Sequence, residues 1–116
     1  ENLRAIQQQL SLASSALLDV VNFVAANAKT DIKGVYAGSV PYLKLAGIVF
    51  GGWQMARAAL VAERKLQAKE GDAGFYQAKI GTARFFADHF LSQAGSLRTA
   101  VVDGSAGVMA LTEEQF

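Results

Sequence analysis

The sequence has no cysteine, one histidine (His89), one proline (Pro41) and one tryptophan (Trp53) in 116 residues. Without cysteine there is neither a disulfide framework nor a thiolate metal site, and a single imidazole cannot supply a histidine pair to a metal. Charge is also sparse. Charged residues make up 18%, the formal net charge is +1, and the 11 basic residues are scattered. The basic stripe of a nucleic-acid binder is therefore missing. The chain opens on Glu1, and its first segment lacks the basic start and following apolar stretch of a signal peptide. It reads as a piece of something longer, and the lack of cysteine fits a reducing cytoplasm. Leu45 to Ala62 is apolar enough to suggest a membrane span, but Gln54 and Arg57 interrupt it. An arginine at a bilayer centre costs roughly 2.5 kcal/mol or more, so a buried central helix is the better reading and no membrane partner is expected.

What is present is apolar and helical. Hydrophobic residues reach 52%, more than a bundle with a fully wetted exterior needs, so part of that surplus should face a partner. One domain over residues 1–116 fits the length. From Asn2 to about Ala28 there is no glycine or proline, and Ile6, Leu10, Ala13, Leu17, Val20, Val21 and Val24 recur at the spacing of one helical face. A connection over Lys29 to Ser39 follows. Ser39 can cap a second helix from about Pro41 to Glu70, which Gly71 would end in a left-handed conformation. Asp72 can cap a third helix with an apolar face of Phe75, Ala78, Thr82, Phe86, Phe90, Ala94 and Leu97. A break between Leu91 and Gly95 would release a short segment, about Ser96 to Asp103, and Gly104 and Gly107 should end regular structure. The expected fold is all-α: an antiparallel bundle of three long helices plus a short C-terminal helical segment.

The second helix carries the most information. Gly47, Gly51 and Gly52 each sacrifice roughly 0.8–1.0 kcal/mol relative to alanine, which close approach by a neighbouring helix would offset. A ligand lying on them is the alternative; a phosphate loop is not, because these glycines are mid-helix. Phe50, Trp53, Phe85 and Phe86, at helical spacing, read as core, with an apolar slot lined by them as the alternative. Gln54 and Arg57 interrupt the apolar helix and need partners, either in another helix of the bundle or in a partner domain or its ligand. Counting outward along the hairpin brings Arg57 level with about Phe85 and Gln54 with about Asp88, so Asp88 is expected to contact Arg57, Gln54 or both. The same count sets Glu63 opposite Lys79. His89, beside Asp88 and Phe90, reads as structural. No convergent set of base, nucleophile or metal ligands emerges, so no catalytic, cofactor-binding or metal-binding residue is assigned. Gly47, Gly51, Trp53, Gln54, Arg57 and Asp88 are the candidate helix-packing or interface residues.

The string Val40-Pro41-Tyr42-Leu43-Lys44-Leu45-Ala46-Gly47, continuing to Gly51-Gly52-Trp53 and Ala56-Arg57-Ala58-Ala59, resembles the C-terminal helical extension of bacterial acyl-CoA dehydrogenases. Phe75-Tyr76-Gln77-Ala78-Lys79 with Thr82-Ala83-Arg84-Phe85-Phe86 is similar to its lysine-containing aromatic segment. Gly104 to Phe116 resembles the end of those enzymes, although Ser92 stands where they often have proline. The likeness runs from about Tyr36 to Phe116. It implies a non-catalytic structural or interface domain at the C-terminus of a longer FAD-dependent enzyme that oxidises acyl-CoA to enoyl-CoA, taking one hydrogen as a proton and one as a hydride. It also implies that the flavin and the base belong to preceding domains, which are the expected partners, within a homo-oligomer. From the residues alone, a free-standing helical interaction module and a small enzyme of another kind stay open.

Overall fold

A computed structural model describes all residues from Glu1 to Phe116. Six α-helices and two 3₁₀ turns follow one another without a strand: α1 (Asn2–Asn27), α2 (Ile32–Ala37), α3 (Ser39–Gln67), α4 (Ala73–His89), a 3₁₀ turn (Leu91–Gln93), α5 (Ala94–Val102), α6 (Ser105–Val108) and a 3₁₀ turn (Glu113–Gln115). The all-α bundle expected from the sequence is present. It has three rods. α3 runs antiparallel to α1, and α4 with α5 forms the third rod, packed on both. α5 extends α4 past the 3₁₀ turn, where the sequence suggested a segment turning back. Ser92 Oγ donates to the Asp88 carbonyl and Gln93 Nε2 to that of His89, so the break is held by side chains that replace helical bonds.

The ends follow local chemistry. The Asp72 carboxylate accepts from the amides of Gly74 (2.9 Å) and Phe75 (3.3 Å), capping α4 as its sequence implies. Ser39 does not cap α3. Gly38 holds the cap position, Ser39 is the first helical residue, and its hydroxyl donates to Tyr36 O at 2.8 Å. α3 stops at Gln67, three residues earlier than expected, because Lys69 (φ 54°) turns left-handed before Gly71 (φ 69°) does. Lys65 Nζ meets Glu70 Oε2 at 2.6 Å across this stop; the contact lowers the Glu70 pKa and raises that of Lys65. The connection after α1 contains α2, which the sequence did not reveal. Asp31 caps it through the Gly34 amide, and a side chain at position 34 would overlap that carboxylate. α6 spans Gly107 and packs on α2, where the two glycines suggested irregular chain.

The core is unusually small in its side chains. Of fourteen buried apolar residues seven are alanine: Ala13, Ala16, Ala59, Ala62, Ala83, Ala87 and Ala94. Ile6, Val20, Leu45, Leu91 and Val101 are its largest fully buried members. On α4 the buried stripe is Ile80, Ala83 and Ala87, rotated from the expected one, and Phe75 is exposed. The body measures 67 × 28 × 18 Å with a radius of gyration of 18.5 Å, against about 13.4 Å for a compact chain of this length. Its accessible surface is 7680 Å², roughly a quarter above the ~6,100 Å² expected for its mass. Narrow rods closing on alanine leave the larger side chains outside.

The three glycines of α3 have different roles. A Cβ on Gly52 would lie 2.6 Å from Leu91 Cδ2, and on Gly51 3.2 Å from Phe86 Cζ, so the third rod seats directly on this stretch. Around Gly47 nothing lies within 4 Å. Close approach within the chain thus explains Gly51 and Gly52 but not Gly47. Alanine at 47 removes only a helix-propensity penalty, whereas alanine at 52 collides with a leucine that is 2% exposed. Chemical denaturation of this chain should show Gly47→Ala stabilising by up to about 1 kcal/mol. Gly52→Ala should destabilise it by about 1–3 kcal/mol. Shifts of the same sign would contradict this packing.

Candidate functional site

The antiparallel packing of α1 and α3 leaves an open groove between them. Leu10, Leu17, Leu18, Val21, Val49, Phe50 and Trp53 line one stretch of about 430 Å³, with Ser14 the one polar residue. Leu3, Ile6, Leu10, Trp53, Ala56 and Leu60 line the adjoining stretch of about 480 Å³, with Arg4, Gln7 and Arg57. Leu10 and Trp53 belong to both stretches, so the two form one trough. Because the helices are antiparallel, Leu3 lies toward Leu60 and Val21 toward Phe50. Each lining residue has another three or four positions away on its helix, the spacing that puts the two on the same side. Phe50 is 60% exposed and Trp53 49%, so these aromatics are not core, as their spacing had suggested. The core face of α3 is already filled by Leu45, Val49, Gly52, Ala59 and Ala62.

Arg57 and Asp88 are not in contact. Arg57 Nη1 lies 3.4 Å from Gln54 Oε1, and its guanidinium sits 5.2 Å from the Trp53 ring centroid. Such a cation–π contact contributes about 0.5–1 kcal/mol at an exposed site. Asp88 accepts instead from Arg84 Nε one turn away on α4, at 2.8 Å. Counting from the turn fixes height along a hairpin but not direction around each helix. Arg57 points to the α1 side of α3, away from α4. Gln54 therefore has Arg57 as its partner and not Asp88. Glu63 and Lys79 fail to pair for the same reason: Glu63 accepts from Gln67 Nε2, and Lys79 Nζ lies 5.3 Å from the centroid of Phe75.

Two longer-range polar contacts, which the sequence did not suggest, tie the third rod to α1. Arg84 Nη1 donates to Asn2 Oδ1 at 3.1 Å, and Arg98 Nε to Asp19 Oδ2 at 2.8 Å. The Arg84–Asp88 pair was readable from its four-residue spacing; the Arg98–Asp19 pair required the tertiary fold. His89 is exposed and stacks on Phe85 at 4.2 Å between ring centroids. No group of three or more His, Asp or Glu side chains is placed to hold a metal ion.

A three-rod helical bundle with a small-residue core and an open apolar trough is the class these features define. The chain belongs to the family described as acetyl-CoA dehydrogenase C-terminal like, which matches residues 1–112. It is 42% identical over 98 residues to 3-methylmercaptopropionyl-CoA dehydrogenase of Ruegeria pomeroyi, covering 84% of this chain and 16% of that protein. It is 33% identical over 122 aligned positions to a broad-specificity linear acyl-CoA dehydrogenase of Mycobacterium tuberculosis, covering 96% of this chain and 20% of that one. The chain thus spans a fifth or less of the curated relatives it matches.

The contact pattern gives a direct test by double-mutant cycles. Arg84→Ala and Asp88→Ala should couple by about 0.3–0.5 kcal/mol, the usual size for an exposed pair one helical turn apart. Arg57→Met and Asp88→Asn should show no coupling. Coupling in the second cycle would mean that α3 is rotated from the orientation described.

Proposed function

We propose that this chain is the C-terminal helical domain of a longer FAD-dependent acyl-CoA dehydrogenase, and that it docks on the preceding dehydrogenase domains without taking part in the chemistry. The observation that carries this reading is the trough: a continuous apolar groove between two helices that leaves Phe50 and Trp53 half-exposed or more is a surface suited to a protein partner. Family membership and the small share of each relative that the chain covers support a longer parent. The parent would convert an acyl-CoA to the enoyl-CoA, a carboxylate taking the α-proton and FAD the β-hydride.

The trough is a packing surface in this reading, not a flavin site. Its floor is aliphatic and aromatic, and Arg4, Gln7 and Arg57 sit toward one end. As the family resemblance implies, FAD, the base and the acyl chain are assigned to the other domains, and no residue here receives a catalytic role. We place the enzyme in the cytoplasm, as a homo-oligomer. α1 and α3 are each long and apolar enough to cross a bilayer by length and composition. In the bundle, however, both supply the core, and both carry polar residues along their length. That favours a protein partner.

The test compares the full-length enzyme with one lacking these residues. The truncated enzyme should melt several degrees lower or lose subunit association. The 116-residue chain alone should retain no yellow cofactor and reduce no dye with any acyl-CoA. Dye reduction by the chain alone, or a truncated enzyme unchanged in melting temperature and assembly, would overturn the proposal.

A further inference from the structure

The charged residues that line the trough itself are both basic, while Glu1 and Glu63 border the neighbouring pocket beyond its Leu3 end. Between Asp31 and Glu63 there is no carboxylate, while Lys33, Lys44 and Arg57 fall within that stretch. The residues lining the trough include Arg4 and Arg57 and no Asp or Glu. The three ion pairs of the chain join Lys65 to Glu70, Arg84 to Asp88 and Arg98 to Asp19. Neither arginine of the trough therefore meets a carboxylate, and both lie toward the Leu3–Leu60 end. The trough runs from Leu3 to Val21 along α1, about 27 Å at 1.5 Å per residue. That is the length of about five helical turns, and a concave apolar channel between two rods admits a third rod.

We propose, on the reading of the chain as a docking domain, that the α1–α3 trough receives one amphipathic α-helix of the dehydrogenase body. Its apolar stripe would lie on Leu10, Phe50 and Trp53, and at least one Asp or Glu near one end would face Arg4 and Arg57. The carboxylate follows from desolvation. A helix laid in the trough removes water from both guanidinium groups, and a buried cation without a partner is costly. A second copy of this chain docked trough to trough does not supply that partner, since the trough lining holds no acid. A flat bilayer would meet the rims of a concave channel and leave its floor unfilled.

Residue-resolved hydroxyl-radical footprinting of the full-length enzyme tests this. Phe50 (60%) and Trp53 (49%) have nearly the same exposure in this chain as Phe75 (53%) and Phe85 (55%) on α4, which serve as an internal reference. After correction for intrinsic reactivity, Phe50 and Trp53 should be oxidised at least fivefold more slowly than Phe75 and Phe85. Arg57→Glu, at an exposed position, should restore much of that oxidation without changing helical content. Equal oxidation of all four aromatics would overturn both this inference and the docking function. Protection of Phe75 and Phe85 with an open trough would overturn the inference alone, since the domain would dock by α4. Protection lost on dilution would identify a second copy, and protection appearing only with anionic phospholipid vesicles would identify a membrane; either overturns the helix. Full protection retained in Arg57→Glu would overturn the carboxylate.

Discussion

The seating of Leu91 on Gly52 is the contact on which the rest of the bundle depends. Leu91 stands in the 3₁₀ turn that joins α4 to α5, so one residue fixes where the third rod bends and how closely it approaches α3. That closeness is possible because the facing positions are glycine and alanine. Ala59, Ala62, Ala83 and Ala87 continue the same seam toward the α3–α4 turn, and Ala13, Ala16 and Ala94 extend the small-residue core to α1 and α5. Small residues at a helix contact shorten the distance between axes but bury little area per residue, and burial stabilises by about 25 cal/mol per Å². The bundle thereby gains definition of its rod positions and forgoes bulk in its core.

The apolar trough is a consequence of the same choice. If alanine fills the inward positions, Phe50, Trp53, Leu18 and Leu60 have no room inside and remain on the outer side of α1 and α3. An excess surface of roughly a quarter and a radius of gyration well above that of a compact domain are two expressions of one geometry. Gly47 extends it. Nothing approaches its backbone within the chain, so its small size is used, if anywhere, at a surface that another element covers.

How much of this was legible in the sequence depends on how local the cause is. The Asp72 cap, the left-handed Gly71 and the break around Ser92 are decided by neighbours a few residues away, and each could be read in advance. Direction around a helix is different. Each residue turns the side chain by about 100°, so an error of one position in the buried stripe misassigns a whole face. That error set Arg57 opposite Asp88, put Phe75 inside, and made core of Phe50 and Trp53. The short helix α2 was hidden because Gly34 reads as a breaker, whereas it is the residue that leaves space for the Asp31 cap. The family resemblance placed the chain correctly, but it could not show which face of the bundle is open.

The central claim is that α1 and α3 form a bundle face left incomplete until another element covers it. Amide hydrogen exchange reports this most directly, since protection of a helix rises with the free energy of the unit that must open. Amides of Ile6 to Val20 and Leu45 to Leu60 should exchange at least a hundredfold more slowly in the full-length enzyme than in the 116-residue chain alone. Those of α4, which already has its neighbours, should change far less. Equal protection of α1 and α3 in the two proteins would contradict the account.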